Sequence, residues 1–356
     1  MAESRVGRRH RDKKRKRRWP RRLLILILII ILIVIAYGVY VYYKADSALN
    51  DSQVDLGRSG DKSALRDAAV RIGKDPISIL ILGIENYSTD GQNGRADSEL
   101  LVTVNPKTNK MKIVTIPRDS RVQINHAGQY TGMHKINAAY TYGDLTGYGA
   151  DKLQVETVEK MLDVPVDKFV AVDFDGFRDI VDTLSPNKGI KINIKQGFYE
   201  KDIYNHGKRI YFNAGPAHLN GEQALAFVRM RKRAVNATYS RDERQRQFLK
   251  AVINQAISAK TILKVGEITD ILGKHVDTNL DASEILALER QYSSMKKSSI
   301  KTINIGGQNE NINGLDYFIP DGQSLQNVSN KLRRFLNLRP DSNYSTNADT
   351  VGTGAS

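Results

Sequence analysis

The sequence predicts a single α/β domain preceded by a membrane anchor, and three observations carry this prediction. An uncharged apolar run follows a basic leader, near-continuous apolar strands begin after residue 76, and segments with helical spacing of apolar residues alternate with short strands up to residue 336. Such alternation is typical of layered α/β proteins. Strands that are apolar along their whole length indicate a sheet covered on both faces. We therefore expect an α/β/α domain in which a mixed central sheet is flanked by helices.

Residues 1–22 form the basic leader, and residues 23–43 form the anchor. The leader holds twelve Lys or Arg against two acids, a net charge of +10 out of +15 for the chain. The run LLILILIIILIVIAYGVYVYY has no charge and is long enough to cross a bilayer as a helix. No small-residue cleavage site follows it, so we expect an uncleaved single span. The positive-inside rule then predicts a cytoplasmic leader and an extracellular domain at the cell membrane.

The remaining boundaries follow from composition. Residues 44–76 are polar, with Ala and Leu at helical spacing, and we interpret them as a helical stalk or linker. Residues 341–356 contain almost no apolar side chain and are predicted to be a disordered tail. The domain therefore spans residues 77–340. The chain has no cysteine, so an exported domain would be stabilised by its core rather than by disulfides.

Within the domain, apolar periodicity predicts six strands and seven helices. The strands are expected at residues 77–84, 100–104, 111–116, 168–173, 189–194 and 299–304. The helices are expected at residues 135–145, 150–163, 174–184, 221–230, 241–258, 282–296 and 324–336.

The stretch from Arg229 to Gln247, RMRKRAVNATYSRDERQRQ, is the most unusual part of the chain because it holds seven cations and two acids. Ser240 and Glu243 have the spacing of a capping box, which predicts that a helix starts there. Arg241, Arg244 and Gln245 continue the apolar face of that helix, although an unpaired buried charge is unfavourable. Guanidinium groups at a helix N-terminus suit an anion such as phosphate. A solvated basic face, with nucleic acid as partner, is the plain alternative.

Further charged residues lie at predicted strand ends, where α/β proteins gather their sites. Glu85 ends the first strand, Arg95 and Asp97 precede the second, and Arg118 follows the third. Two carboxylates such as Glu85 and Asp97 could hold a hard cation that also binds waters and substrate phosphates. Taken singly, each of these residues is better explained as part of a surface ion pair. The sequence contains no Walker loop, G-x-G-x-x-G, H-E-x-x-H or G-x-S-x-G motif, so those chemistries are not indicated.

Six collinear segments resemble one known family, the LytR-CpsA-Psr (LCP) wall-polymer ligases of bacteria. They are ILILGIENYSTDGQNGRADSELLVTVN, VTIPRDSRVQI, HKINAAYTYG, VDFDGFRDIVD, LNGEQALAFVRMRKR and SRDERQRQ, and they cover most of residues 77–258. The order of basic leader, single span and exported domain is also similar to that family.

The resemblance implies a domain that encloses a hydrophobic tunnel for a polyprenyl chain. It implies transfer of an anionic glycopolymer, teichoic acid or capsular polysaccharide, from an undecaprenyl-pyrophosphate carrier to a peptidoglycan hydroxyl, forming a phosphodiester. The partners would be the carrier, peptidoglycan and the membrane, without nucleic acid. By position, the pyrophosphate would be bound by Arg95, Arg118, Arg229, Arg231, Arg241 and Gln245. Of these, Arg118, Arg229, Arg231 and Arg241 would be catalytic. Mg²⁺, with Mn²⁺ as an alternative, would be held by Glu85 and Asp97.

Two positions depart from the family pattern. Glu85 stands where the family usually has Asp, and Thr238 stands where it usually has Asp in a Gly-Asp-x-Gly-Arg run. Thr238 cannot supply charge or act as a base, which leaves the general base unassigned, with Asp119 and Asp242 as substitutes. Three alternatives stay open: a non-catalytic binder of the polymer or carrier, a polyprenyl-pyrophosphatase, and a membrane-bound transcriptional attenuator. The last is the least favoured because the leader is short and adjoins the span.

Overall fold

The computed structural model describes residues 53–87, 92–184, 188–230, 233–258, 274–293, 299–341 and 344–351. All of these belong to one compact unit within residues 44–356. The predicted leader, the predicted span and Arg231 lie outside the described residues. Within the described part of the chain, no helix is long and apolar enough to cross a membrane.

The centre of the domain is a six-stranded mixed sheet in the order β11-β6-β1-β2-β3-β12. Its strands are β1 (Ile77–Glu85), β2 (Arg95–Asn105), β3 (Lys110–Thr115), β6 (Lys168–Asp173), β11 (Val276–Thr278) and β12 (Ile300–Ile303). Strand β1 pairs antiparallel with β2 and parallel with β6. The prediction of a mixed central sheet is therefore confirmed.

Two-stranded sheets surround the central one, as the pairs β4–β5, β7–β10, β8–β9 and β13–β14. They comprise β4 (Arg121–Ile124), β5 (Gly132–Lys135), β7 (Ile190–Ile194), β8 (Phe198–Lys201), β9 (Arg209–Phe212), β10 (Gly215–Leu219), β13 (Gly307–Ile312) and β14 (Leu315–Pro320). The sequence predicts only β7 of these eight strands. The others have four to six residues, too few for alternation to distinguish them from loops.

Seven α-helices are described, close to the predicted bounds. They are α1 (Ala138–Leu145), α2 (Ala150–Leu162), α3 (Phe174–Leu184), α4 (Gly221–Arg229), α5 (Arg241–Ser258), α6 (Ala282–Ser293) and α7 (Gly322–Phe335). Ser240 caps α5 as expected, since its Oγ accepts a hydrogen bond from the Glu243 amide at 3.2 Å. The Glu243 side chain pairs with Lys195 instead of completing the capping box.

Helices cover both faces of the sheet, which explains why β1 is apolar along its whole length. Leu80, Leu82 and Ile84 pack into a core with residues of α2 and α7. Ile77 and Ile79 face the other way, into a core that contains residues of α6. A third core joins α3, α4 and α5 to the β7–β10 pair. The α/β/α layering thus follows from a strand that buries both of its faces.

A β-bulge at the end of β1 positions one predicted site residue. Gly83 pairs with Ser98 and Ile84 pairs with Ala96, so Asp97 is the extra residue between them. A bulge redirects the side chain of the extra residue away from the regular alternation.

Two predicted flanking segments are ordered parts of the domain, so both predictions need correction. Residues 53–76 contain no α-helix, and Arg66 is buried with its Nη2 2.6 Å from Oδ2 of Asp167. At the other end, residues 344–351 are not a disordered tail. The Gln123 amide donates to the Asn347 carbonyl at 2.8 Å, and the Val351 amide donates to the Pro320 carbonyl at 2.9 Å. Composition missed both segments because backbone hydrogen bonds and ion pairs, rather than apolar side chains, hold much of them in place.

Candidate active site

A cavity of about 670 Å³ opens at the ends of β1 and β6, beneath α3, α4 and α5 and beside the β8–β9 hairpin. One part of its wall is apolar: Ile81, Leu82, Val172, Phe174, Phe177, Ile203, Leu225 and Val228. The other part is charged or polar: Asp97, Ser98, Arg118, Glu200, Lys201, Arg229, Arg233, Arg241 and Gln245. We call this space the cationic cavity.

The cationic cavity unites most of the predicted site residues. Arg118, Arg229, Arg241 and Gln245 line it together with Asp97. They come from four separate elements, and their convergence could not be read from spacing alone.

Two other predicted residues lie outside the cavity wall. Glu85 and Arg95 face each other in the register of β1 and β2, and Arg95 is exposed. Glu85 still belongs to the same electrostatic environment, because burial lowers the pKa of Arg229 and the negative charge of Glu85 opposes that shift. Arg95 thus does not line the cavity with the arginines it was predicted to join.

Arg118 is the centre of a charged network in the cavity floor. Its Nη1 pairs with Oδ2 of Asp97, and its Nε is 3.5 Å from Oδ2 of Asp119. The side-chain amide of Asn137 donates from Nδ2 to Oδ1 of Asp97 at 3.2 Å, and Nζ of Lys135 lies 2.9 Å from Oδ1 of Asp119. Several groups therefore fix both Asp97 and Arg118, and the network orients the Arg118 guanidinium at the cavity.

The other two predicted arginines that line the cavity, Arg229 and Arg241, are held in water-poor surroundings. Burial lowers the pKa of Arg229, partly offset by the carboxylates of Glu85 and Asp97. Burial also lowers the pKa of Arg241, and the nearby positive charge of Arg118 lowers it further. Clustered, desolvated cations are unfavourable unless an anion joins them. The cavity is therefore suited to a multiply charged anion attached to an apolar chain.

Comparison with known proteins bears on this arrangement. A model of the LytR_cpsA_psr family matches residues 39–334. The chain is 42% identical over 315 residues to the polyisoprenyl-teichoic acid–peptidoglycan teichoic acid transferase TagV of Bacillus subtilis (strain 168), covering 88% of this chain and 78% of that protein. It is 38% identical over 301 residues to TagU of the same organism, covering 84% of this chain and 90% of TagU. The chain belongs to the LytR_cpsA_psr family.

Solved structures of family members agree with this assignment. The crystal structure of B. subtilis TagV has a TM-score of 0.64 at 42% identity, over 75% of this chain and 99% of that one. The LytR-CPS2A-psr family protein YwtF (TagT), solved with bound octaprenyl pyrophosphate lipid, has a TM-score of 0.61 at 32% identity, over 80% of this chain and 100% of that one.

Both positions at which this chain departs from the LytR_cpsA_psr pattern, Glu85 and Thr238, lie outside the cationic cavity wall. Thr238 is exposed, and its hydroxyl donates to Oε1 of Gln196 at 2.7 Å. The substitutes considered for the missing carboxylate, Asp119 and Asp242, do not line the cavity either. A carboxylate that the sequence did not single out, Glu200, does line it.

Three cavity residues were missed because they belong to the β8–β9 hairpin or to the loop before α5. Glu200 and Lys201 are in β8, and Arg233 stacks on the Tyr199 ring with its guanidinium carbon 4.0 Å from the ring centroid. The signal that could have located this hairpin is the aromatic alternation in GFYEK and RIYF around a polar turn.

Arg244 belongs to the basic stretch but not to the cationic cavity. Its side chain is fully buried at 0% exposure, and its guanidinium donates to the carbonyls of Phe227, Met230 and Tyr239. Burial lowers its pKa to about 10. Arg244 therefore ties α5 to α4 and to the loop before α5.

Only two residues, Glu85 and Asp97, were predicted to be metal ligands. No group of three or more acidic, histidine or cysteine side chains in the described part of the chain could hold a metal ion. The charges of Glu85 and Asp97 both oppose the lowering of the Arg229 pKa by burial, so both carboxylates lie near that guanidinium. Two carboxylates fit a Mg²⁺ ion that completes its coordination with waters and substrate phosphates.

Proposed function

We propose that this protein is a polyisoprenyl-teichoic acid–peptidoglycan teichoic acid transferase. It would move an anionic glycopolymer from a polyprenyl-pyrophosphate carrier to a peptidoglycan hydroxyl. The observation that carries the proposal is the cationic cavity, which has room for part of a lipid chain. Its apolar wall adjoins a cluster of desolvated arginines. The likeness to TagV and TagU over most of the chain supports it. The anchor predicted at residues 23–43 would keep the domain outside the cell membrane, near the carrier.

The reaction follows from the charges. The acceptor hydroxyl oxygen attacks the phosphorus that bears the glycopolymer, and the bridging bond to the other phosphorus breaks. Polyprenyl monophosphate leaves, and the hydroxyl proton passes to a base. Negative charge builds on the non-bridging and leaving oxygens, where Arg118, Arg229 and Arg241 stabilise it. Because the Arg118 guanidinium is already held in place by Asp97 and Asp119, little reorganisation of that group is needed during the reaction.

Mg²⁺, with Mn²⁺ as an alternative, is part of the proposal. Glu85 and Asp97 would hold the ion, which would neutralise phosphate charge when bound. Direct measurement of Mn²⁺ binding by electron paramagnetic resonance tests this without an activity assay. We expect Asp97→Asn to weaken Mn²⁺ binding at least tenfold. Equal binding by wild type and Asp97→Asn would exclude Asp97 as a ligand.

We assign the base role to Glu200. It is a carboxylate of the cavity wall, whereas Asp97 is paired with Arg118. General bases in such reactions typically contribute 10²–10⁴-fold. Glu200→Gln should therefore lower the transfer rate at least about 100-fold without weakening carrier binding. A variant that transfers at the wild-type rate would remove Glu200 from the mechanism.

The full-length protein in detergent, supplied with a lipid-linked glycopolymer and peptidoglycan, tests the function. We expect labelled polymer to become attached to peptidoglycan, and Arg118→Ala to slow transfer by about 10²–10³-fold. Arg71→Ala is the matched control, because Arg71 is exposed and, among the residues that the structure describes, forms an ion pair with Asp75 four positions away. Carrier binding without transfer would instead favour the non-catalytic binder.

A further inference from the structure

A second cavity, of about 450 Å³, lies on the other face of the same strand ends. Ile84 and Ala171 line it, whereas their neighbours Gly83 and Val172 line the cationic cavity. The two spaces therefore lie on opposite sides of the backbone at the ends of β1 and β6. We call the second space the acidic cavity.

The acidic cavity carries an excess of negative charge. Its titratable residues belong to α1, α2, β6, β11 and the two residues described before β11. They are Tyr140, Asp144, Asp151, Asp173, Lys274, His275 and Asp277. Of the ion pairs formed between described residues, one belongs to this wall, His275 Nδ1 to Asp173 Oδ2 at 3.0 Å. Four carboxylates thus face one lysine and one histidine.

Asp151 is an independent observation that points to a ligand site. Its side chain is 6% exposed, and its Oδ1 is buried without a hydrogen-bond partner. Burial and the neighbouring charge of Asp277 raise the pKa of Asp151 to about 7. Buried acceptors without partners are rare in folded proteins, because each is unfavourable until a donor reaches it. A cationic donor entering this cavity would supply one.

The geometry selects the kind of cation. These carboxylates line a wide space, and no three of the described acidic or histidine side chains converge as metal ligands. The space is also far larger than a bare ion needs. A primary ammonium group suits it, because its three donors can reach the acidic oxygens while the rest of the molecule occupies the cavity. Asn86 and Asn93 also border the space.

We propose that the acidic cavity binds a primary ammonium group carried by the acceptor peptidoglycan. The identity of the acceptor rests on the proposed function, whereas the ammonium chemistry rests on the cavity itself. An acceptor held there would lie across the strand ends from Arg118 and Asp97. The ammonium could come from a peptide amine or from a sugar that lacks its N-acetyl group, and the two sources are distinguished by experiment.

Calorimetric titration of the full-length protein tests this with two pairs of probes. One is a soluble disaccharide–peptide fragment with a free side-chain amine, against the same fragment with that amine acetylated. The other is a glucosamine trisaccharide, against its N-acetylated counterpart. We expect at least one free-amine probe to bind, and acetylation to weaken its binding at least tenfold. The probe that binds identifies the source.

Isosteric variants locate the site. Asp151→Asn and Asp277→Asn should each weaken binding of the free amine at least tenfold, while thermal melts confirm that they fold. Binding should also release protons near pH 7, seen as a dependence of the measured heat on the buffer. Equal binding of acetylated and free probes, unchanged binding by both variants, or no binding of either free amine would overturn the proposal.

A separate titration with polyprenyl pyrophosphate distinguishes this proposal from the proposed function. Arg118→Ala should weaken carrier binding and leave amine binding unchanged. If the carrier binds and is used but neither amine binds, the ammonium site alone is wrong. If amines bind at Asp151 but wild type neither binds nor uses the carrier, the proposed function alone is wrong.

Discussion

Arg241 and Arg244 lie three residues apart in α5, and replacing each by alanine should have opposite consequences. The Arg244 guanidinium donates to three backbone carbonyls and is fully buried. Arg244→Ala leaves those acceptors without partners, and each unsatisfied buried group costs about 1–3 kcal/mol. We therefore expect a loss of unfolding free energy of at least about 3 kcal/mol.

Arg241→Ala removes a cation that is desolvated and repelled by Arg118. The free energy of unfolding should stay within about 1 kcal/mol of wild type or rise, because an unfavourable charge disappears. The transfer rate should fall about 10²–10³-fold, since a donor to the developing phosphate charge is lost.

Urea unfolding followed by far-ultraviolet circular dichroism measures the stability of both variants. Tryptophan fluorescence is unsuitable, because the single tryptophan, Trp19, is in the leader. Transfer is measured where each variant is folded. The reasoning is refuted if Arg244→Ala unfolds like wild type, or if Arg241→Ala loses stability while the rate of its folded fraction is unchanged.

Three further predictions concern stability. Burial raises the folded-state pKa of Asp151 to about 7, so the stability that this side chain contributes is fully present below its unfolded pKa and is lost as pH rises through 7. Asp151→Asn should therefore have a higher free energy of unfolding than wild type at pH 8, by on the order of 4 kcal/mol at most. Equal urea unfolding of the two proteins at that pH would contradict this. Arg66→Ala should lower the free energy of unfolding by about 3–5 kcal/mol, because it leaves the buried Asp167 charge without its ion-pair partner. Arg71 is exposed, so Arg71→Ala should change that free energy by less than about 1 kcal/mol. Similar values for the two variants would be inconsistent with a buried pair. Deleting residues 342–356 should lower stability by about 1–3 kcal/mol, since backbone hydrogen bonds are lost, and an unchanged thermal melt would indicate that the segment does not contribute.

The sequence was sufficient for the elements whose apolar pattern is long. Strands β1 and β6 and helices α3 and α5 lie within one residue of their predicted bounds, because burial on one or both faces imposes a clear period. The short hairpins and the docked terminal segments were missed, since four-residue strands and backbone hydrogen bonds leave little trace in composition.

The site was predicted in part. Arg118, Arg229, Arg241 and Gln245 converge with Asp97, as the family resemblance implied, although their catalytic roles remain predictions. Arg95 is exposed away from the cavity wall, which a linear motif could not show. The sequence could not distinguish Arg241 from Arg244, because both continue the apolar face of α5. Only the structure shows that Arg241 lines the cavity, whereas backbone carbonyls enclose the Arg244 guanidinium.

The most direct measurement of the central claim is ³¹P nuclear magnetic resonance of the reaction catalysed by the full-length protein. The substrate is a polyprenyl-pyrophosphate-linked glycopolymer, and the acceptor is soluble peptidoglycan. The proposed transferase predicts that the pyrophosphate signals are replaced by a phosphodiester and polyprenyl monophosphate, in a reaction slowed by Arg118→Ala. Two phosphomonoesters would indicate a pyrophosphatase, and an unchanged pyrophosphate in the presence of bound carrier would indicate a binder; either result contradicts the account.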